Sequence, residues 1–211
     1  MKKVIGILAV ALISTAISCK DNAKQEGESQ ETMENTMRNE AMPNESHEGH
    51  EHAAGTESTE REINQNSAKN TETAAILNAY FEIKNGLVAD SKEKAAEGGN
   101  SLIAAIDKFD MSKLSDETNK EYMEIAESAK EHAEHIVKSP MDHQREHFEA
   151  LSTDITDLVA LLGTDKVIYQ DYCPMANNNK GALWLSEIKE IKNPYYGSKM
   201  LTCGSVKKQI N

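Results

Sequence analysis

Aromatic residues are scarce: three Phe, six Tyr and one Trp make up 5% of the 211 residues. A sheet sandwich fills the space between its layers with aromatic and β-branched side chains. The shortage therefore argues for packed helices with an aliphatic core. Basic residues are also in deficit, with 23 Lys and Arg against 35 Asp and Glu and a formal charge of −12. Phosphate backbones repel such a chain, which excludes nucleic-acid binding. Cysteine is down to three, Cys19, Cys173 and Cys203, and no Cys-X-X-Cys pair suggests a dithiol oxidoreductase. No nucleophile stands in a recognisable pairing with a base, so the chain does not read as an enzyme. Long apolar runs are missing except at the start, where residues 4–17 are apolar but too short to span a bilayer with their flanks.

Lys2 and Lys3 precede that run and give it the shape of an export signal. It ends Ala16-Ile17-Ser18-Cys19, which resembles the lipobox of bacterial lipoproteins. The resemblance implies a signal peptide over residues 1–18 and lipid on the Cys19 thiol. The protein is then a membrane-anchored lipoprotein facing the periplasm or the cell surface, and Cys173 and Cys203 remain as a pair. Residues 19–69 read as a disordered acidic tether. Five basic and twelve acidic residues lie among Asn, Ser, Thr and Gln with almost nothing aliphatic. Such a stretch cannot bury enough apolar surface to offset its chain entropy. It nevertheless holds His47, His50 and His52 within six residues, and Met33, Met37 and Met42 nearby. Imidazole and thioether at that density suit loose capture of a metal ion, thioether selecting Cu(I).

Residues 70–163 carry the helical period. Ile76, Tyr80, Ile83 and Leu87 fall on one face, and Ser91 offers an N-cap for a second helix through Ala95, Leu102, Ile106 and Phe109. Gly98-Gly99 inside it indicates a kink or close packing. Ser115 opens a third helix, Pro140 stops it, and a fourth runs from about Asp142 to Gly163. Four amphipathic helices with short connections predict an antiparallel four-helix bundle. His132 and His135 late in the third helix and His143 and His147 early in the fourth should then meet at one pole.

The last 48 residues, 164–211, change character: five of the ten aromatics are here, and basic residues outnumber acidic ones seven to four. Short strands are expected at 167–169 and 183–185, around an Asn177–Gly181 turn, making a small irregular or β-like cap in one domain with the bundle. Cys173-Pro174-Met175 places a thiol and a thioether on one side of an extended segment, and Met200-Leu201-Thr202-Cys203 repeats the pair beyond an Asn-Pro turn. If the turns bring them together, two thiolates and two thioethers form a soft site matched to Cu(I). Outside the cytoplasm two cysteines also readily form a disulfide, and the residues alone leave both readings open.

The run Tyr172-Cys173-Pro174-Met175-Ala176, then Trp184-Leu185-Ser186, Asn193-Pro194-Tyr195-Tyr196-Gly197 and Met200-Leu201-Thr202-Cys203-Gly204 resembles the DUF3347 family, as do Glu134-His135-Ile136 and Gln144-Arg145-Glu146-His147-Phe148. These are bacterial exported domains that often stand beside, or are fused to, periplasmic copper and silver efflux adaptors. The resemblance covers about residues 72–207. It implies a role near copper handling, with Cys173, Met175, Met200, Cys203, His135 and His147 at the matching positions. The expectation is a lipoprotein that binds soft metal ions, Cu(I) first and silver second, for buffering or handover to an efflux adaptor. The alternative is a structural or interaction module with a Cys173–Cys203 disulfide.

Overall fold

The structure is a computed structural model and describes residues 69–211. Cys19 and the tether histidines His47, His50 and His52 lie outside the described residues. The described chain is mainly helical, with a small antiparallel three-stranded sheet at its C-terminal end. No helix among the described residues is long and apolar enough to cross a membrane.

Helix α1 spans Ala74–Val88. Its expected stripe of Ile76, Tyr80, Ile83 and Leu87 is inaccessible to solvent, but Leu77, Phe81 and Lys84 are buried as well. The reason is the cap, which covers a second side of α1: Tyr80 Oη accepts from the Leu185 amide, and Lys84 Nζ reaches Glu187 at 2.6 Å. Helix α2 follows at Lys92–Asp107, with Ser91 accepting the Lys94 amide as its N-cap. It ends before Phe109, which instead stacks on Tyr122 at 4.6 Å between ring centroids. The glycine pair serves close packing within one continuous helix. A Cβ on Gly98 would lie 2.5 Å from the Ile83 nitrogen, so only glycine lets α1 and α2 approach this closely.

Helix α3, Asp116–Lys138, starts at Ser115, whose Oγ accepts the Thr118 amide. Helix α4, Met141–Leu162, starts directly after Pro140, and Gly163 ends it at a φ of 77°. The α3–α4 connection is therefore only Ser139-Pro140. Buried Gln144 secures it by donating from Nε2 to the Ile136 carbonyl (2.7 Å) and to the Lys92 carbonyl (3.1 Å). One otherwise unpaired carbonyl of the last α3 turn is thus satisfied from α4. Phe148, Leu151, Ile155, Leu158 and Leu162 line the core side of α4 as their spacing predicts.

The cap is more regular than its sequence suggests. Strands β1 (Ile168–Cys173), β2 (Ala182–Ser186) and β3 (Ser205–Ile210) pair antiparallel in the order β2-β1-β3. The first two are longer than expected, and β3 was not anticipated at all. Asn177, Asn178 and Asn179 all have positive φ in the helical turn Ala176–Asn179, a conformation that asparagine and glycine tolerate best. This turn also revises the sequence expectation for Cys173 and Met175. The strand stops at Cys173 and Met175 is in the right-handed helical region, so the two do not share one side of an extended segment. Cys173 is buried, whereas Met175 is 43% exposed.

Candidate metal centre

The tight Ser139-Pro140 turn sets the last turns of α3 against the first turns of α4. His132 and His135 are three residues apart on α3, and His143 and His147 four apart on α4, so each pair projects from one face. All four imidazoles meet at this pole with His147 at the centre. Its ring stacks on His135 (4.2 Å, 12°), stands perpendicular to His143 (4.5 Å, 87°) and tilts against His132 (5.4 Å, 41°). His147 Nε2 lies 3.1 Å from His143 Nε2, and His147 Nδ1 lies 3.2 Å from His132 Nδ1. One nitrogen each from His135, His143 and His147 falls within 4.8 Å of the other two. Among the described residues this is the set of three His, Cys, Asp or Glu side chains that converges in this way.

The electrostatics suit a ligand set. Burial, followed by the positive charge that His135, His143 and His132 would carry, lowers the His147 pKa to about 4. At neutral pH His147 is therefore uncharged, so a metal ion need not displace a second ring proton to bind it. His143 is the exposed member and opens the cluster to solvent, and its Nδ1 lies 2.6 Å from Glu146 Oε2. Three imidazole nitrogens are borderline donors that accommodate copper, zinc and nickel.

The sulfur residues form a different constellation. Cys173, at the end of β1, and Cys203 are free thiols with Sγ atoms 3.0 Å apart. The hydrogen bond between them, helped by burial, pushes the Cys203 thiol up to about 11. The buried Asn193 organises the approach. Its Nδ2 donates to the Cys203 carbonyl at 2.7 Å, and its Oδ1 accepts the amides of Tyr195 and Tyr196. The two methionines engage through their carbonyls: Met175 O accepts from Tyr196 Oη, and Met200 O from the Cys203 amide.

Of the six residues expected at one site, the structure thus joins Cys173 to Cys203 and His135 to His147. His135 and His147 converge with His143 and not with the thiols. His143 was legible from its spacing of four to His147, although the sequence counted it only as a neighbour. Asp154, which faces His132 Nε2 at 3.9 Å, had no local signal. It lies seven residues beyond His147 and meets His132 only through the packing of α3 on α4.

Comparison with known proteins identifies no curated protein and no solved structure that matches the chain. A family match is found over part of it, which includes His132, His135, His143 and His147 and stops before Cys173 and Cys203. Residues 76–166 match the model of the family described as Protein of unknown function (DUF3347).

Proposed function

We propose that this protein is an exported, lipid-anchored metal-binding protein whose principal site is His135, His143 and His147, with copper as its cargo and silver as a second soft ion. The site occupies one pole of an antiparallel four-helix bundle. The anchor is Cys19, and His47, His50 and His52 add weaker capture on a tether that must be ordered to bind. The protein buffers the ion or hands it to an efflux adaptor. The observation carrying this reading is the convergence of three imidazoles on a rigid helical hairpin, with two Nε2 atoms 3.1 Å apart. Two nitrogens bound at about 2.0–2.1 Å to one tetrahedral ion stand about 3.3 Å from each other, so little movement is needed to seat it.

Competition against a Cu(I) chelator under reducing conditions tests the proposal. Wild-type protein and Cys173→Ser/Cys203→Ser are expected to hold Cu(I) alike, and His135→Ala/His143→Ala/His147→Ala to lose the tightest site. Equal competition by wild type and the histidine variant overturns the reading.

A second reading concerns the cap. The 3.0 Å approach of the two thiols favours a Cys173–Cys203 disulfide in an oxidising compartment over a bis-thiolate Cu(I) site. It predicts no free thiol at these positions in exported protein. Either Cys→Ser change should cost about 3 kcal/mol of stability whether or not copper is present.

A further inference from the structure

We infer that Ser128, Asp154 and His132 form an outer shell that orients His147 and selects its tautomer, leaving the Nε2 lone pair for a metal ion; this rests on the metal reading above. A ligating histidine must keep its proton on the nitrogen that does not bind, and the group accepting that proton decides which nitrogen is free. For His143 the decision is local. Glu146 Oε2 sits 2.6 Å from Nδ1, and a carboxylate only accepts, so the proton stays on Nδ1 and the lone pair on Nε2.

His147 is in a different position, because each of its nitrogens faces another imidazole. Its proton can sit on Nε2 and point at His143, which blocks the site. It can instead sit on Nδ1 and donate to His132 Nδ1 at 3.2 Å, which opens the site. The second arrangement requires the His132 proton to be on Nε2. Asp154 Oδ2 lies 3.9 Å from that nitrogen, beyond hydrogen-bond reach, and the nearby carboxylate favours a proton on that side of the ring. Asp154 is 4% exposed, and Ser128 Oγ donates to the same oxygen at 2.8 Å, holding the carboxylate in place. The series therefore runs from Ser128 to Asp154, with His132 turned to the carboxylate and His147 donating to His132. His147 Nε2 and His143 Nε2 then face each other with lone pairs, an arrangement a bound cation satisfies.

All members belong to the α3–α4 hairpin. Ser128 and His132 are four apart on α3, and His147 and Asp154 seven apart on α4, so each pair shares a helix face. Outer-shell partners of this kind typically change metal affinity 10–100-fold when altered.

The test uses the full chain. Nitrogen-15 NMR of the imidazoles in metal-free protein near pH 7 reads the tautomers directly. His147 is expected to carry its proton on Nδ1 in wild type. Asp154→Asn removes the negative charge that draws the His132 proton to Nε2, so the order of donors is no longer fixed and the His147 proton shifts toward Nε2. The same variant should bind Cu(I) about 10–100-fold more weakly in chelator competition, with its thermal unfolding otherwise close to wild type. A wild-type His147 protonated on Nε2 overturns the inference, and so does an Asp154→Asn protein with unchanged tautomer and affinity. The wild-type measurement needs no variant, so the inference stays testable if Asp154→Asn does not fold. If the tautomers are as expected but His135→Ala/His143→Ala/His147→Ala competes for Cu(I) like wild type, the metal reading fails on its own.

Discussion

Two buried charges show how the cap meets the helices residue by residue. Lys84 has no solvent exposure and is held by Glu187 (2.6 Å) and Ser186 (3.4 Å), so its charge is partnered. Burial alone would raise the Glu187 pKa, but hydrogen bonds from Lys84 and Asn85 outweigh it and bring it down. Asp171 is different. It is buried beside its cross-strand neighbour Trp184, and neither carboxylate oxygen has a hydrogen-bond partner, nor has the Trp184 Nε1. Burial pushes its pKa from 3.8 to about 6, with Lys84 pulling the other way. The native state therefore holds this proton more tightly than the unfolded chain. Stability should fall as pH rises from about 4 to 6 and then level off. The displacement from 3.8 to about 6 corresponds to a ceiling of about 3 kcal/mol, and Asn is itself a buried polar group. Asp171→Asn should accordingly be about 1–2 kcal/mol more stable than wild type at pH 7, and the advantage should vanish below about pH 4. Urea denaturation at several pH values reads this; an advantage that persists at pH 4 would assign the gain to something other than the charge.

At the scale of elements, the glycine pair in α2 divides its work. The Gly98 position faces backbone of α1, while a Cβ at Gly99 would meet the Val137 side chain at 2.9 Å and the Ala133 carbonyl at 3.1 Å. Alanine gains about 1 kcal/mol of helix propensity at either position. Main chain cannot yield as a valine methyl can, so Gly98→Ala should lose about 1–2 kcal/mol net. Gly99→Ala should lose less. Denaturation midpoints in the reverse order would mean that α1 and α2 slide apart more easily than the geometry allows. The helices themselves were legible. Ser91 and Ser115 cap where they were expected to, and the stripes of α3 and α4 are buried as their spacing predicts. Strand β3 was not legible, because Ser205–Ile210 is largely exposed and mixed in polarity. Its pairing with β1 supplies the order that its own residues do not encode.

For the whole molecule, the proposed anchor is Cys19. Cys19→Ser should leave the protein unlipidated and soluble, since a hydroxyl cannot accept the diacylglyceryl thioether and several acyl chains otherwise bind a membrane firmly. Fractionation after a carbonate wash checks this, and a mutant still in the membrane pellet would refute the lipobox reading. Deleting residues 33–52 should lower copper stoichiometry and leave the tightest site unchanged, because the imidazoles of α3 and α4 are held by the fold while a segment of that polar, acidic composition has an ordering cost on binding. Equilibrium dialysis gives the stoichiometry. Loss of the tightest site would move the principal function to the tether.

Local order is what the residues determined by themselves. Helix periodicity, serine caps, the Pro140 break and the Asn177–Gly181 turn act over a few neighbours, so their signals survive in one dimension. The gathering of four histidines at one pole was also readable, because a two-residue connection leaves two helices little choice but to fold back on each other. Tertiary structure decided the rest. It brought Cys173 within 3.0 Å of Cys203, turned Met175 outward, gave His147 its neighbours His135 and His132 from the other helix, and set Asp154 behind them. Each of these depends on the relative position of side chains on different elements or across a turn. That position is set by how the core packs, which no short window of sequence contains.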